Sequence, residues 1–228
     1  MPLPLPVRSL AIALAVMIPT FAPAQEKSPW DSHFTARSNI IRFQAKTSGL
    51  WQTLLVGDSN TESFWWNEAG ACKIVNAGLA GARVSDVADR LEFIVGVTRP
   101  SVAHIMLGTN DVPLVGKIDG YEAKLETDFK RVIRAFHRNE TAIYLWLIPP
   151  VGKNFADPES VNVINEIIKR VAKTEKVALE SQWSTNLHGR ADALFDDDVH
   201  LTAKANQERM SRIREIGEQS KVRCIPPA

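Results

Sequence analysis

Five short runs of apolar residues punctuate the chain: Thr53 to Gly57, Lys73 to Ala77, Val102 to Leu107, Ala142 to Ile148 and, more weakly, Lys176 to Glu180. Each has the length of a strand, and the segments between them carry apolar residues at helical spacing, most regularly over Tyr121 to Phe136 and Val161 to Val171. A last helix is predicted from an N-cap at Thr202 to about Ile216. Strands that alternate with helices imply a parallel sheet covered on both faces. The pattern therefore predicts an α/β fold: one three-layer α/β/α, flavodoxin-like domain around a five-stranded parallel sheet in the order 2-1-3-4-5. The catalytic-size domain is taken as 53–228, with 25–52 as an N-terminal extension in which only a short amphipathic helix around Ile40, Ile41 and Phe43 is predicted.

The first stretch has a different character. Arg8 precedes an apolar run from Leu10 to Ile18, and Ala22-Pro23-Ala24 follows as a small-residue cleavage pattern. The run is shorter than the roughly 20 residues needed to span a bilayer, so 1–24 reads as a secretory signal peptide. The expectation is an exported protein, periplasmic or secreted, with no integral membrane span after cleavage. At 228 residues and 45% hydrophobic content the chain suits one core. Cleavage after Ala24 would remove one of 27 basic residues and none of the 26 acidic ones. The resulting balance gives a nucleic-acid partner no electrostatic footing; it leaves the oligomeric state open. Export also changes the meaning of Cys72 and Cys224, the only two cysteines. In a parallel α/β protein the start of a strand and the end of a helix share one sheet edge, which makes these two disulfide candidates. Two unpaired, half-buried thiols are the alternative.

Chemistry concentrates in two segments. Gly57-Asp58-Ser59-Asn60 ends the first apolar run, so Ser59 emerges where a strand gives way to a helix. Asp197-Asp198-Val199-His200 lies far downstream. A serine hydroxyl is a poor nucleophile until a base removes its proton, and a histidine oriented by a carboxylate is the usual device. In the order 2-1-3-4-5, moreover, the loops after strands one, two and three are neighbours at the carboxyl edge, where open α/β sheets bind ligands. Those loops carry Ser59, the segment Asn76-Ala77-Gly78-Leu79-Ala80-Gly81, and Gly108-Thr109-Asn110-Asp111. A serine beside a close-approaching backbone N–H and an asparagine amide resembles a nucleophile with an oxyanion hole. The bland readings differ: Asp196-Asp197-Asp198 as a solvated loop, His104 as a core residue, His33, His137 and His188 as surface groups, and Asp58 and Asp111 as turn or helix-start residues. No second histidine stands at ligand spacing from His200, so neither a metal nor a cofactor is expected.

These blocks resemble the SGNH (GDSL) hydrolase superfamily, over about residues 53 to 216. The resemblance implies Ser59 as nucleophile, His200 as general base and Asp197 as its orienting partner. It also implies an oxyanion hole made by the backbone N–H groups of Ser59 and Gly81 with the Asn110 side chain. Gly81 is preferred to Gly78 because the family's functional glycine stands five residues after the asparagine matched by Asn76. The G-x-S-x-G elbow of α/β-hydrolases is not met, since position 61 is Thr. The expected function is an exported serine carboxylic-ester hydrolase acting on short acyl esters of small molecules or carbohydrates, such as O-acetyl groups. A lysophospholipase or thioesterase of the same family, or a catalytically silent binding module, are the alternatives. Trp65, Val112 and Val151 are the candidate substrate walls.

Overall fold

Strand β1 (Thr53–Gly57), the two-residue β2 (Glu68–Ala69), and strands β3 (Cys72–Gly78), β4 (Val102–Met106), β5 (Ala142–Trp146) and β6 (Ala178–Glu180) form one sheet in the order β2-β3-β1-β4-β5-β6. The computed structural model describes residues 29–219 except Leu50, Trp51, Asn67, Gly70, Ala71, Arg138 and Asn139. The expected leader and Cys224, and with it the expected bridge to Cys72, lie outside the described residues. Five strands are parallel and keep the predicted order, with Leu54 of β1 in register with Val75 on one side and Ala103 on the other. The sixth, β2, is antiparallel to the start of β3 and is too short to register as a hydrophobic pattern.

Every residue of β1 and β4 is buried, as a sheet covered on both faces requires. Alternate residues feed two cores. Leu54, Val56, Ala103, Ile105 and Leu145 meet apolar side chains of α1 (Pro29–Ser48), α3 (Val84–Ala88), α4 (Leu91–Thr98), α5 (Tyr121–Phe136) and α6 (Glu159–Glu175). Leu55, Ile74, Met106 and Trp146 meet those of α7 (Gln182–Asn186) and α8 (Ala203–Gln219). The spacing in α5 explains its placement: Leu125, Phe129, Val132, Ile133 and Phe136 recur at three- and four-residue intervals on one buried stripe.

Helix α1 departs from the short helix predicted around Ile40, since it runs for 20 residues. The reason lies in which of its residues work. Ile41 is fully buried and Phe34 packs edge-on against Phe93 of α4, but the rest of the inner face is polar. Arg37 donates through Nε to Gly78 O (3.0 Å) and through Nη2 to Asn76 O (2.9 Å), while Gln44 Oε1 accepts from Asn76 N (3.0 Å). These backbone groups lie on the edge of β3 that β2 is too short to cover. Polar side chains of α1 thus satisfy main-chain groups that would otherwise be left unpaired. A helix whose inner face is half polar has a weak hydrophobic period, and so its length was hidden. Among the described residues no helix is long and apolar enough to cross a membrane.

If α1 is an integral part of the domain, Ile41→Ala should cost about 2–5 kcal/mol in urea unfolding; a loss within measurement error would show that the helix is an appendage.

Candidate active site

The end of β1 is built for a tight reversal. Asp58 caps helix α2 (Ser59–Glu62), its Oδ1 accepting from Asn60 N at 3.0 Å. A Cβ at Gly57 would overlap the Thr61 side chain, and one at Gly78 the backbone of Glu62, so only glycines let α2 lie this close to β1 and β3. Asn76 secures the contact by donating to Thr61 O (2.7 Å) and Phe64 O (2.6 Å). Ser59 thereby stands at the carboxyl edge with its N–H in the first turn of α2, where no intrahelical acceptor exists.

His200 reaches this serine from the segment before α8. Phe195 N donates to His200 O (2.9 Å) and Asp198 N to Phe195 O (3.0 Å), closing residues 195–200 into a compact loop. Within it, Asp197 Oδ1 accepts from His200 N (2.9 Å) and Val199 N (3.1 Å), and Asp197 Oδ2 lies 2.6 Å from His200 Nδ1. His200 Nε2 lies 2.9 Å from Ser59 Oγ. The backbone N–H of His200, followed by its side chain and the Val199 N–H, holds the Asp197 carboxyl down at about 2. With a proton on Nδ1 donated to Asp197, Nε2 is left to accept from the serine hydroxyl. The two neighbouring aspartates divide the work. Asp198, in the left-handed region at φ 61, turns away to accept from Gly152 N (2.7 Å, through its carbonyl) and Asn154 N (3.0 Å, through Oδ2).

The other two loops lie alongside. Leu79 N donates to Gly57 O (2.9 Å), and the turn Leu79–Ala82 presents Gly81, exposed, at φ +77. Asn110 sits in a 3-10 turn (Thr109–Leu114), half-buried, and spends one amide hydrogen on Ala82 O at 3.0 Å. The other hydrogen remains for a ligand oxygen. Glu62 steadies the Gly81 turn from α2, accepting from Ala80 N at 2.6 Å, and its Oε2 lies 2.9 Å from His33 Nε2 of α1. His33 is thus tied to this turn rather than being a plain surface group, whereas His137 and His188 are exposed as expected.

Behind the serine lies a buried polar group that sequence reasoning did not find. Arg209 of α8 is fully buried, its guanidinium 5.1 Å from the Phe64 ring centroid, and it donates to Asn60 O and Thr61 Oγ1, both at 3.2 Å. Burial lowers it to about 10, against the pull of Asp58. Asp58 is itself fully buried and pushed up by burial, consistent with a structural acid rather than a partner of the histidine. His104 is a core residue: Trp146 Nε1 donates to its Nδ1 (3.1 Å), and burial, then Arg209, push it down to about 3. Among the described residues, no three His, Cys, Asp or Glu side chains group as a metal site.

The expected walls need correction. Val112 and Val151 are 1% and 4% exposed and belong to the main core, so they support their loops from beneath. Trp65 is 75% exposed and stacks on Trp66.

Asp111 accepts from Val84 N (3.1 Å) and Tyr121 OH (2.5 Å), and burial raises it to about 6. In the unfolded chain it ionises near pH 4, so between about pH 4 and 6 the folded state holds the extra proton at this site and the contribution of Asp111 to stability falls as pH rises. Asp111→Asn, whose Oδ1 can accept from Val84 N while its Nδ2 donates to the Tyr121 oxygen, removes this contribution, so thermal stability should fall less, or rise more, with pH across this range than in the wild type. An unchanged slope would reject the assignment.

The GDSL-like lipase/acylhydrolase family matches residues 47–208 of the chain. A search of curated proteins found no match. Among solved structures, a GDSL-like lipase from Bacteroides thetaiotaomicron is 17% identical with a TM-score of 0.65, over 84% of this chain and 98% of its own. A lipase/acylhydrolase from Enterococcus faecalis is 17% identical with a TM-score of 0.63, over 76% and 100%. A catalytic mutant of an acetylxylan esterase from Geobacillus stearothermophilus is 18% identical with a TM-score of 0.59, over 75% and 95%. At such identities the likeness is one of fold; the family match covers most of the chain. The chain belongs to the GDSL-like lipase/acylhydrolase family, the SGNH hydrolases that its four sequence blocks resemble.

Proposed function

We propose that the protein is an exported serine esterase that removes short acyl groups, such as O-acetyl groups, from carbohydrates through an acyl-enzyme. The observation that carries the chemistry is the relay Asp197–His200–Ser59, with contacts of 2.6 Å and 2.9 Å. Ser59 Oγ attacks the ester carbonyl as its proton passes to His200 Nε2, and Asp197 stabilises the resulting imidazolium. The carbonyl oxygen gains charge and is met by the N–H groups of Ser59 and Gly81 and the free amide hydrogen of Asn110. His200 then returns the proton to the leaving alcohol. Water, deprotonated by His200, hydrolyses the acyl-enzyme to the carboxylic acid and restores Ser59.

The substrate reading is supported by openness. The His200 and Asp197 side chains are 40% and 48% exposed, which suits a small acyl group carried on a bulky alcohol. The acetylxylan esterase among the structural relatives agrees with that choice. Export rests on the apolar run ahead of Ala22-Pro23-Ala24, and a Cys72–Cys224 disulfide would accompany it.

Ser59→Ala should abolish turnover and labelling by a fluorophosphonate probe; a labelled variant would reject the nucleophile. Asn110→Ala should fold normally and lose about two to three decades in kcat, and an unchanged rate would remove Asn110 from the site. On a panel of p-nitrophenyl esters and acetylated sugars, the shortest acyl groups should be hydrolysed fastest, whereas preference for long chains would favour a lysophospholipase or thioesterase. The secreted protein should begin at Gln25 and, unfolded without reductant, should titrate no free thiol.

A further inference from the structure

Asn60 follows Ser59 directly and is 1% exposed. Its side chain crosses from α2 to the histidine loop: Nδ2 donates to Val199 O at 3.0 Å, and Oδ1 accepts from Leu201 N at 2.9 Å. Those two backbone groups flank His200. On its other side, Asn60 O accepts from Arg209 Nη1 at 3.2 Å, so the residue is anchored to α8 as well. The amino acid after the serine thus grips the chain immediately before and immediately after the histidine.

We infer that Asn60 is a positioning residue, which fixes the distance of His200 from Ser59; the inference rests on the proposed roles of those two residues. Asp197 cannot do this work, because it stands three positions from His200 in the same loop and moves with it. It sets the orientation of the ring within the loop. Asp198 braces the loop from its far side at Gly152 and Asn154, and Val199 and Leu201 pack into the cores. Among the described residues, the hydrogen bonds that join the loop to α2 itself are those of the Asn60 carboxamide and the 2.9 Å contact between His200 and Ser59. That contact is interrupted in every cycle, when Ser59 Oγ becomes acylated, whereas both Asn60 bonds take no part in the chemistry and persist. They hold the imidazole in place for the attack of water. The position demands one donor and one acceptor on a short side chain, which a carboxamide supplies. A carboxylate of the same shape keeps only the acceptor, and leucine keeps only the shape.

Asn60→Leu and Asn60→Asp test this, with circular dichroism and thermal unfolding to identify folded protein, p-nitrophenyl acetate as substrate, and the downfield proton resonance of the His200 Nδ1–H as a direct view of the ring. That resonance is assigned by its absence in His200→Ala. Folded variants should lose about 100-fold in kcat, the effect of a misplaced catalytic group, with KM unchanged and the downfield signal broadened or shifted. Wild-type kcat in either folded variant would overturn the inference. So would a lower unfolding temperature with the signal and kcat intact, which marks a purely structural role. Because Asn60→Asp alters no side-chain volume, it serves if Asn60→Leu does not fold. Ser59→Ala and His200→Ala, run alongside, separate the two levels: if either remains active, the underlying site reading fails and this inference with it. If both are inactive while the Asn60 variants are fully active, only the positioning role is lost.

Discussion

Helix α2 lies so close to the ends of β1 and β3 that side chains at Gly57 and Gly78 would collide with Thr61 and with the backbone of Glu62. This close approach sets nearly everything around the site. It puts Ser59 at the carboxyl edge, turns Asn60 toward the histidine loop, and lets Glu62 reach the turn that carries Gly81. A helix held only by its own hydrogen bonds would be marginal at four residues. The neighbours supply what its length cannot: Asp58 at its start, Asn76 beneath its last turn and Arg209 behind it.

The carboxylates around the site show how environment divides one chemical group among several tasks. Asp58 and Asp111 are buried and raised, and each is absorbed in holding a turn or a helix start. Asp197 is half exposed and held low by the N–H groups of its own loop, so it remains charged across the pH range in which a serine esterase must work. The Asp198 carboxylate accepts from Asn154 N and braces the loop there. The His104 imidazole is held neutral in the core, where burial, then Arg209, push it down and Trp146 Nε1 donates to its Nδ1.

A second dependence runs from the amino-terminal helix to the site. By satisfying the backbone of Asn76 and Gly78, Arg37 and Gln44 of α1 finish the exposed edge of β3, the strand that leads into the Gly81 turn. His33 meets Glu62, which in turn holds Ala80. The helix that the hydrophobic pattern left nearly invisible therefore helps to hold one of the three loops at the carboxyl edge.

What the sequence determined by itself is what hydrophobic period and local motif can carry. The strands and the regular helices α5 and α6 follow from runs and spacings, because burial imposes those periods on the chain. The sheet order followed from the flavodoxin-like arrangement that such an alternation implies, which made the loops of Ser59, Gly78 to Gly81 and Asn110 neighbours, and the choice of Gly81 came from the family resemblance. The Asp197–His200 pair was legible too, since it is a contact across three positions. Tertiary structure alone decided the rest. The polar inner face of α1 has no period to read, and the burial of Val112, Val151 and Arg209 depends on what packs over them. Asn60 and Asp198 looked like ordinary members of polar loops; each found its partners only when segments far apart in sequence were folded together. A hydrogen bond between distant backbones leaves no periodic trace in either segment, and that is why the frame of this site could be read from the sequence while the clasp that sets its distances could not.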